Sequence, residues 1–203
     1  MKLYFAPGAC SLSPHIVLCE AGLDHTIEKV DLRSKVTASG ADFKAINPKG
    51  AVPALQLNDG GVLTEGAAIV QYLADQAPAK QLAPAAGTMA RYHLMETLNF
   101  IAAEVHKGFS PLFNPAATDA ARDAAIATLQ PKISFMSKQL GDADYLTGKQ
   151  FTVADAYLFV VLSWSAHVKL SLDSWPNLQA FLTRVAARPA VHAAMVAEGL
   201  IPA

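Results

Sequence analysis

The stretch Pro7-Gly8-Ala9-Cys10-Ser11-Leu12-Ser13-Pro14 carries a thiol where local structure can tune its chemistry. It follows a strand-like opening, Lys2-Leu3-Tyr4-Phe5, and leads into the apolar run His15-Ile16-Val17-Leu18. Gly8 permits a tight turn at little steric cost. Ser11 or Ser13 can cap a helix, and Pro14 is tolerated in a first turn. Cys10 therefore falls just before, or at, a helix start, where the dipole and free N–H groups favour a thiolate, the nucleophilic form of sulfur. The competing role is a small buried cysteine in a turn.

Further along, Val52-Pro53 directly precedes a strand. A cis bond there would leave the backbone of Val52 free to pair with an extended peptide; a trans proline opening a strand is the commoner arrangement. Thr64-Glu65-Gly66-Ala67 opens a helix whose N–H groups can hold an anion while the Glu65 carboxylate takes an ammonium group. One loop offering both suits a zwitterionic ligand end, although a plain helix cap with an acidic first turn has the same residues.

The segment from Arg91 to Phe109 reads as a helix with two stripes. Leu94, Leu98, Ile101 and Val105 form a core face. Asn99, Ala103 and His106 form a second, partly polar face suited to a cleft or an interface. Thr152-Val153-Ala154-Asp155 is a capping box heading the most apolar helix, and its role reads as structural. Trp164 and His167 lie near that helix's end, where packing is the default for Trp164. The six histidines show no i, i+4 pair and no H-E-x-x-H, so no metal site is expected. There is no G-x-G-x-x-G, P-loop or G-x-S-x-G.

The elements that must position these residues divide the chain. His25 to Val30 alternates like a strand, Leu32 to Gly40 is loop-like, and Ala41 to Ile46 is a short helix stopped at Asn47-Pro48-Lys49-Gly50. Ala54 to Leu57, the turn Asn58-Asp59-Gly60-Gly61 and Val62-Leu63 make a hairpin. A helix from Glu65 to Gln76 follows. Strand signals then stop: Asp119 to Leu140 is helical, with Pro131 expected to kink or split it. Val153 to His167, Gln179 to Ala187 and Ala190 to Glu198 complete the helices. The expected organisation is an α/β domain over 1–77, a linker over 78–87 and an all-α domain over 88–203.

The 203 residues are 52 % hydrophobic and 16 % charged, enough for a substantial core. A net charge of −1 removes the electrostatic argument for a nucleic-acid or anionic-membrane partner. No run reaches the length of a membrane span; the best candidate is bracketed by Asp155 and His167. Cys10 and Cys19, nine residues apart, would lie roughly 13 Å from each other on one helix, too far for a disulfide. The start of the chain is too short and too interrupted for a signal core. A reducing, cytoplasmic setting is the expectation.

Taken in order, Lys2-Leu3-Tyr4, the Cys10 stretch to His15, Asn47-Pro48-Lys49-Gly50 with Val52-Pro53, Leu63-Thr64-Glu65-Gly66, Asn99-Phe100, Glu104-Val105-His106-Lys107 and Phe151-Thr152-Val153-Ala154-Asp155 resemble the glutathione S-transferases, specifically the bacterial beta class. The resemblance implies a thioredoxin-like N-terminal domain, an all-helical C-terminal domain and a homodimer, with glutathione as co-substrate and no prosthetic group. It implies that glutathione lies across Cys10, its cysteinyl backbone paired with Val52 through a cis bond to Pro53. The γ-glutamyl end would meet Glu65 and Gly66, with Lys35 near the glycyl end. Asn99, Ala103, Glu104, Val105 and His106 would supply further contacts, some crossing from a partner subunit. His106, with Cys10, is a catalytic candidate bordering a hydrophobic-substrate pocket of Phe109, Phe113 and Trp164. Phe5 stands where related chains often have tyrosine, Cys19 where a basic residue is common, and Gly66 where many have serine. The implied activity is conjugation of glutathione to small hydrophobic electrophiles. The alternatives are a thiol–disulfide oxidoreductase, a reductive dehalogenase, and a non-catalytic ligand-binding or protein-interaction module.

Overall fold

The computed structural model describes residues 1–202. The chain forms two compact units, Met1–Ala83 with Ala187–Ala203, and Pro84–Ala186.

The first unit is built on a five-stranded sheet in the order β3-β2-β1-β4-β5: β1 (Lys2–Phe5), β2 (Thr26–Asp31), β3 (Val36–Thr37), β4 (Ala54–Gln56) and β5 (Val62–Thr64). β1 runs parallel to β2 and antiparallel to β4, and β4 forms a hairpin with β5. As an inner strand, β1 buries Leu3, Tyr4 and Phe5 consecutively, without the alternation of a half-exposed strand. The short β3, inside the segment expected to be a loop, is held by antiparallel pairing with β2.

Helix α1 (Leu12–Ala21) is apolar almost all round because α3 (Gly66–Gln76) and α9 (Pro189–Ala197) both pack on it. The expected C-cap, Gly22, is left-handed (φ 65°) and closes the helix with its N–H on the Cys19 carbonyl. The short α2 (Phe43–Ile46) anchors Phe43 in the core.

One boundary differs from the expected 88–203 helical domain: α9 belongs with the sheet unit. The cause is a pair of ionic ties. Arg188 grips Glu20 with two hydrogen bonds, Nε to Oε1 at 2.6 Å and Nη2 to Oε2 at 2.9 Å. Glu198, its side chain wholly buried, accepts the Gly8 N–H at 3.0 Å and meets His15 Nδ1 at 2.9 Å. Burial alone would lower the His15 pKa; hydrogen bonds that the imidazole makes to Cys19 and Glu198 outweigh it and raise it to about 9.

The second unit is helical. α4 (Met89–Phe100) continues without a break into a π-helical segment, Ile101–His106, then α5 (Lys107–Phe109) and a 3-10 turn, Ser110–Phe113. Its expected core face, Leu94, Leu98, Ile101 and Val105, is buried throughout. α6 (Asp119–Leu140) runs past Pro131 as one helix, so of the expected kink or split, the split does not occur. α7 (Val153–His167) is the buried central helix and α8 (Pro176–Ala186) packs on it.

The capping box of α7 acts as expected. Asp155 accepts the Thr152 N–H at 2.8 Å and hydroxyl at 2.9 Å, and its other oxygen accepts the Leu146 N–H at 2.8 Å. Burial pushes the Asp155 carboxyl up to about 6, against the pull of these donors. Asp155→Ala strands them in the core, so urea unfolding should show a loss of about 3 kcal/mol; a variant as stable as the parent would show that the box carries no weight.

Candidate functional site

Cys10 lies in the turn between β1 and α1, two residues ahead of the helix and half-buried. The turn closes through Ala9 N–H to Ala6 O (3.0 Å) and Leu12 N–H to Ala9 O (2.9 Å), with Gly8 at φ +68°. Neither serine caps α1 through its side chain as expected. The Ser11 hydroxyl, fully buried, instead accepts the Ala6 N–H (3.1 Å) and donates to the Ala6 carbonyl (3.2 Å), stitching the turn to the end of β1. The Ser13 hydroxyl donates to the Cys10 carbonyl at 2.8 Å.

The Cys10 thiol donates to the Val52 carbonyl at 3.3 Å, and the Val52-Pro53 bond is cis. The arrangement that base rates disfavour, and that the family resemblance implies, is the one present. Lys35, at φ 60°, sends its ammonium group to the carbonyl of Gly50 at 2.8 Å, two residues before Val52.

Glu65 holds a strained backbone (φ 73°, ψ 115°) immediately before α3. Such conformations cost on the order of 1–3 kcal/mol and cluster at ligand clamps. Its carbonyl accepts from Ala68 and Ile69, while its largely exposed carboxylate pairs with Lys49 at 2.6 Å. Lys49 also donates to the Thr64 hydroxyl at 3.0 Å. A carboxylate and helix N–H groups, those of Gly66 and Ala67 first, thus share one loop. Lys49 was not singled out in the sequence, where Asn47-Pro48-Lys49-Gly50 reads as a helix stop. The signal was there as a basic residue in a fixed turn.

In the helical unit, the second stripe falls across the π-helical segment, whose wider turn alters the i, i+4, i+7 spacing assumed for it. Asn99 and Ala103 are exposed, Glu104 pairs with Lys132 at 2.7 Å, and Val105 is fully buried, leaving it only a backbone to offer. His106 Nδ1 lies 2.8 Å from the Tyr157 hydroxyl, and its ring meets Trp164 edge-on at 4.9 Å. Tyr157 escaped the sequence reading because nothing in one apolar helix marks a hydroxyl aimed at a distant histidine.

Trp164 gathers Phe109 (5.9 Å) and Phe113 (5.5 Å) around it, so the three expected pocket residues do come together. Their exposure differs from a simple pocket lining. Phe109 is completely buried and Trp164 is 6 % exposed, so both back the wall, whereas Phe113, at 49 %, presents a surface.

The comparisons agree with this architecture. Residues 8–76 match the family model for the glutathione S-transferase N-terminal domain, and residues 100–189 that for the C-terminal domain. The chain is 48 % identical to glutathione S-transferase GstA of Escherichia coli O157:H7, over 98 % of this chain and 100 % of that one. Among solved structures it is similar to the bacterial beta class glutathione S-transferase of Sphingomonas chungbukensis (47 % identity, 99 % and 100 % coverage, TM-score 0.95). It is also similar to a sphingomonad glutathione S-transferase complexed with glutathione (48 %, 99 % and 100 %, TM-score 0.94). The fold is that of a glutathione S-transferase. The chain belongs to the glutathione S-transferase family and has its bacterial beta class among its near structural neighbours.

Burial, helped by Lys107, lowers the His106 pKa from 6.5 to about 4. The imidazole is therefore neutral at physiological pH and can exchange one hydrogen bond with Tyr157 in either direction. Because the unfolded chain takes up this proton more readily, the stability linked to His106 is fully present above pH 6.5 and is lost as pH falls toward 4. NMR titration should place its midpoint near 4, and His106→Gln should flatten the stability profile between those limits. A midpoint at or above 6.5 would contradict this.

Proposed function

We propose that this protein conjugates reduced glutathione to small hydrophobic electrophiles. The observation that carries the reading is the Cys10 thiol held 3.3 Å from the Val52 carbonyl on a turn locked by Ser11. In this reading the cysteinyl part of glutathione runs along Val52 and Pro53, which brings its sulfur to Cys10. Its α-ammonium group exchanges for Lys49 on the Glu65 carboxylate, and its α-carboxylate takes the first N–H groups of α3. Lys35 answers the glycyl carboxylate. Cys10 then donates a hydrogen bond that favours the glutathione thiolate, and the thiolate attacks the electrophile with loss of its leaving group. The aromatic wall backed by Phe109 and Trp164 and faced by Phe113 suits an apolar second substrate, beside a neutral His106.

A second reading rests on the half-buried position of Cys10. Its thiolate can attack oxidised glutathione, forming a Cys10–glutathione disulfide and releasing one glutathione thiolate, which would make the protein a thiol–disulfide oxidoreductase. We further assign it to a reducing compartment and to a homodimer. Exposed Met89, Tyr92 and Met95 on α4 offer an apolar face for a second copy.

Steady-state kinetics with a model aryl halide test the main reading. Glu65→Ala should raise the KM for glutathione roughly 10- to 100-fold, the worth of a hydrogen bond to a charged group, with a smaller change for the halide. Cys10→Ala should slow conjugation by no more than about tenfold, the worth of one hydrogen bond of about 1.4 kcal/mol, while intact-mass measurement shows loss of the glutathione adduct. No saturable conjugation across a broad electrophile panel would overturn the proposal. Disulfide reduction in its place would favour the second reading.

A further inference from the structure

Among the described residues, one cluster of metal-ligating side chains has no part in the proposed reaction. His15 and Cys19 occupy successive turns of α1 at i and i+4, and therefore share a face. His25 follows just beyond the Gly22 cap, at the entrance to β2. One ligand atom from each of the three lies within 4.8 Å of the other two. The His15 and His25 rings meet edge-on with centroids 5.5 Å apart. All three belong to the sheet unit.

Both imidazoles are already oriented as metal ligands usually are, by a partner on the other ring nitrogen. His15 Nδ1 is held by the buried Glu198 carboxylate at 2.9 Å, leaving Nε2 as the atom it can offer. His25 Nδ1 is held by the Leu23 carbonyl at 2.7 Å, and again Nε2 remains. A carboxylate–histidine pair and a carbonyl–histidine pair thus converge on one thiol. Tetrahedral zinc, with Zn–N of about 2.0 Å and Zn–S of about 2.3 Å, needs its ligand atoms about 3.3–3.6 Å apart. The ligand atoms lie within 4.8 Å of one another, so binding has to draw them together by up to about 1.5 Å. His15 is buried, while Cys19 and His25 are half-buried, so an ion would reach the cluster from the Cys19 and His25 side.

We propose that His15, Cys19 and His25 form a zinc-binding site of the His2Cys type, oriented by Glu198 and the Leu23 carbonyl. Binding displaces the Cys19 thiol proton and the His15 Nε2 proton to solvent; no electrons move. The donor set of one thiolate and two imidazoles selects a borderline-soft ion over magnesium or calcium. No histidine pair marks the cluster in the sequence, since the i, i+4 partner of His15 is a cysteine and the third ligand lies past a helix cap.

Cobalt(II) titration of the full-length, metal-free, reduced protein tests this without reference to activity. The expected result is one equivalent per chain, a thiolate-to-cobalt charge-transfer band and its bleaching by Zn2+. Cys19→Ser should abolish the band, and Cys10→Ser should leave it intact. Glu198→Gln, in which orientation of His15 is weakened, should lower affinity about 10- to 100-fold. Circular dichroism of each variant establishes that it is folded. Absence of the band in the parent protein would overturn the proposal, as would its persistence in Cys19→Ser or its loss in Cys10→Ser.

Discussion

The Cys10 turn depends on a carboxylate from the other end of the chain. Glu198, with no exposed side-chain surface, spans 190 residues to accept the Gly8 N–H and meets His15 on α1 with its second oxygen. A buried ion pair is not in itself a strong source of stability. Removing one partner is nonetheless severe, typically 3–5 kcal/mol, because the other charge is left without compensation. Here it would also free the backbone two residues before the Cys10 thiol. Placement of Cys10 thus rests on this tie behind the turn, on Ser11 beneath it and on the Val52 carbonyl in front.

The two units carry different sets of groups. In the proposed reading, the sheet unit supplies polar backbone, a strained Glu65 and a thiol, groups suited to a short peptide with charged ends and an extended main chain. The helical unit supplies aromatic surface and a histidine kept neutral by burial. A neutral imidazole bonded to a tyrosine hydroxyl can orient and polarise, but it does not bring a fixed positive charge. In the proposed reading, stabilisation of a glutathione thiolate therefore falls chiefly to the Cys10 region and the α1 N-terminus.

Much of this was legible in the residues. Alternating and helical periodicities located the strands and most helices, and Gly22, the Asn58–Gly61 turn and the Thr152–Asp155 box marked ends that the structure retains. What escaped has a common physical cause: it depends on contacts distant in sequence. The assignment of α9 to the sheet unit follows from Glu198 and Arg188, whose partners lie near the start of the chain. Ser11 reads as a cap because local rules favour that role, yet burial against Ala6 gives its hydroxyl a better use. Pro131 sits within α6 without ending it, since packing over 22 residues outweighs one lost hydrogen bond. Tyr157 beside His106, and His25 beside Cys19, are meetings that spacing along the chain does not encode.

The central claim is that the Cys10 turn is where glutathione sulfur is held, and a crystal structure with reduced glutathione tests it most directly. The account predicts the glutathione sulfur within hydrogen-bonding distance of Cys10 Sγ, the cysteinyl backbone paired with Val52, and the γ-glutamyl ammonium group on Glu65 in place of Lys49. A glutathione molecule bound with its sulfur away from Cys10, or with Glu65 still closed on Lys49, would contradict it.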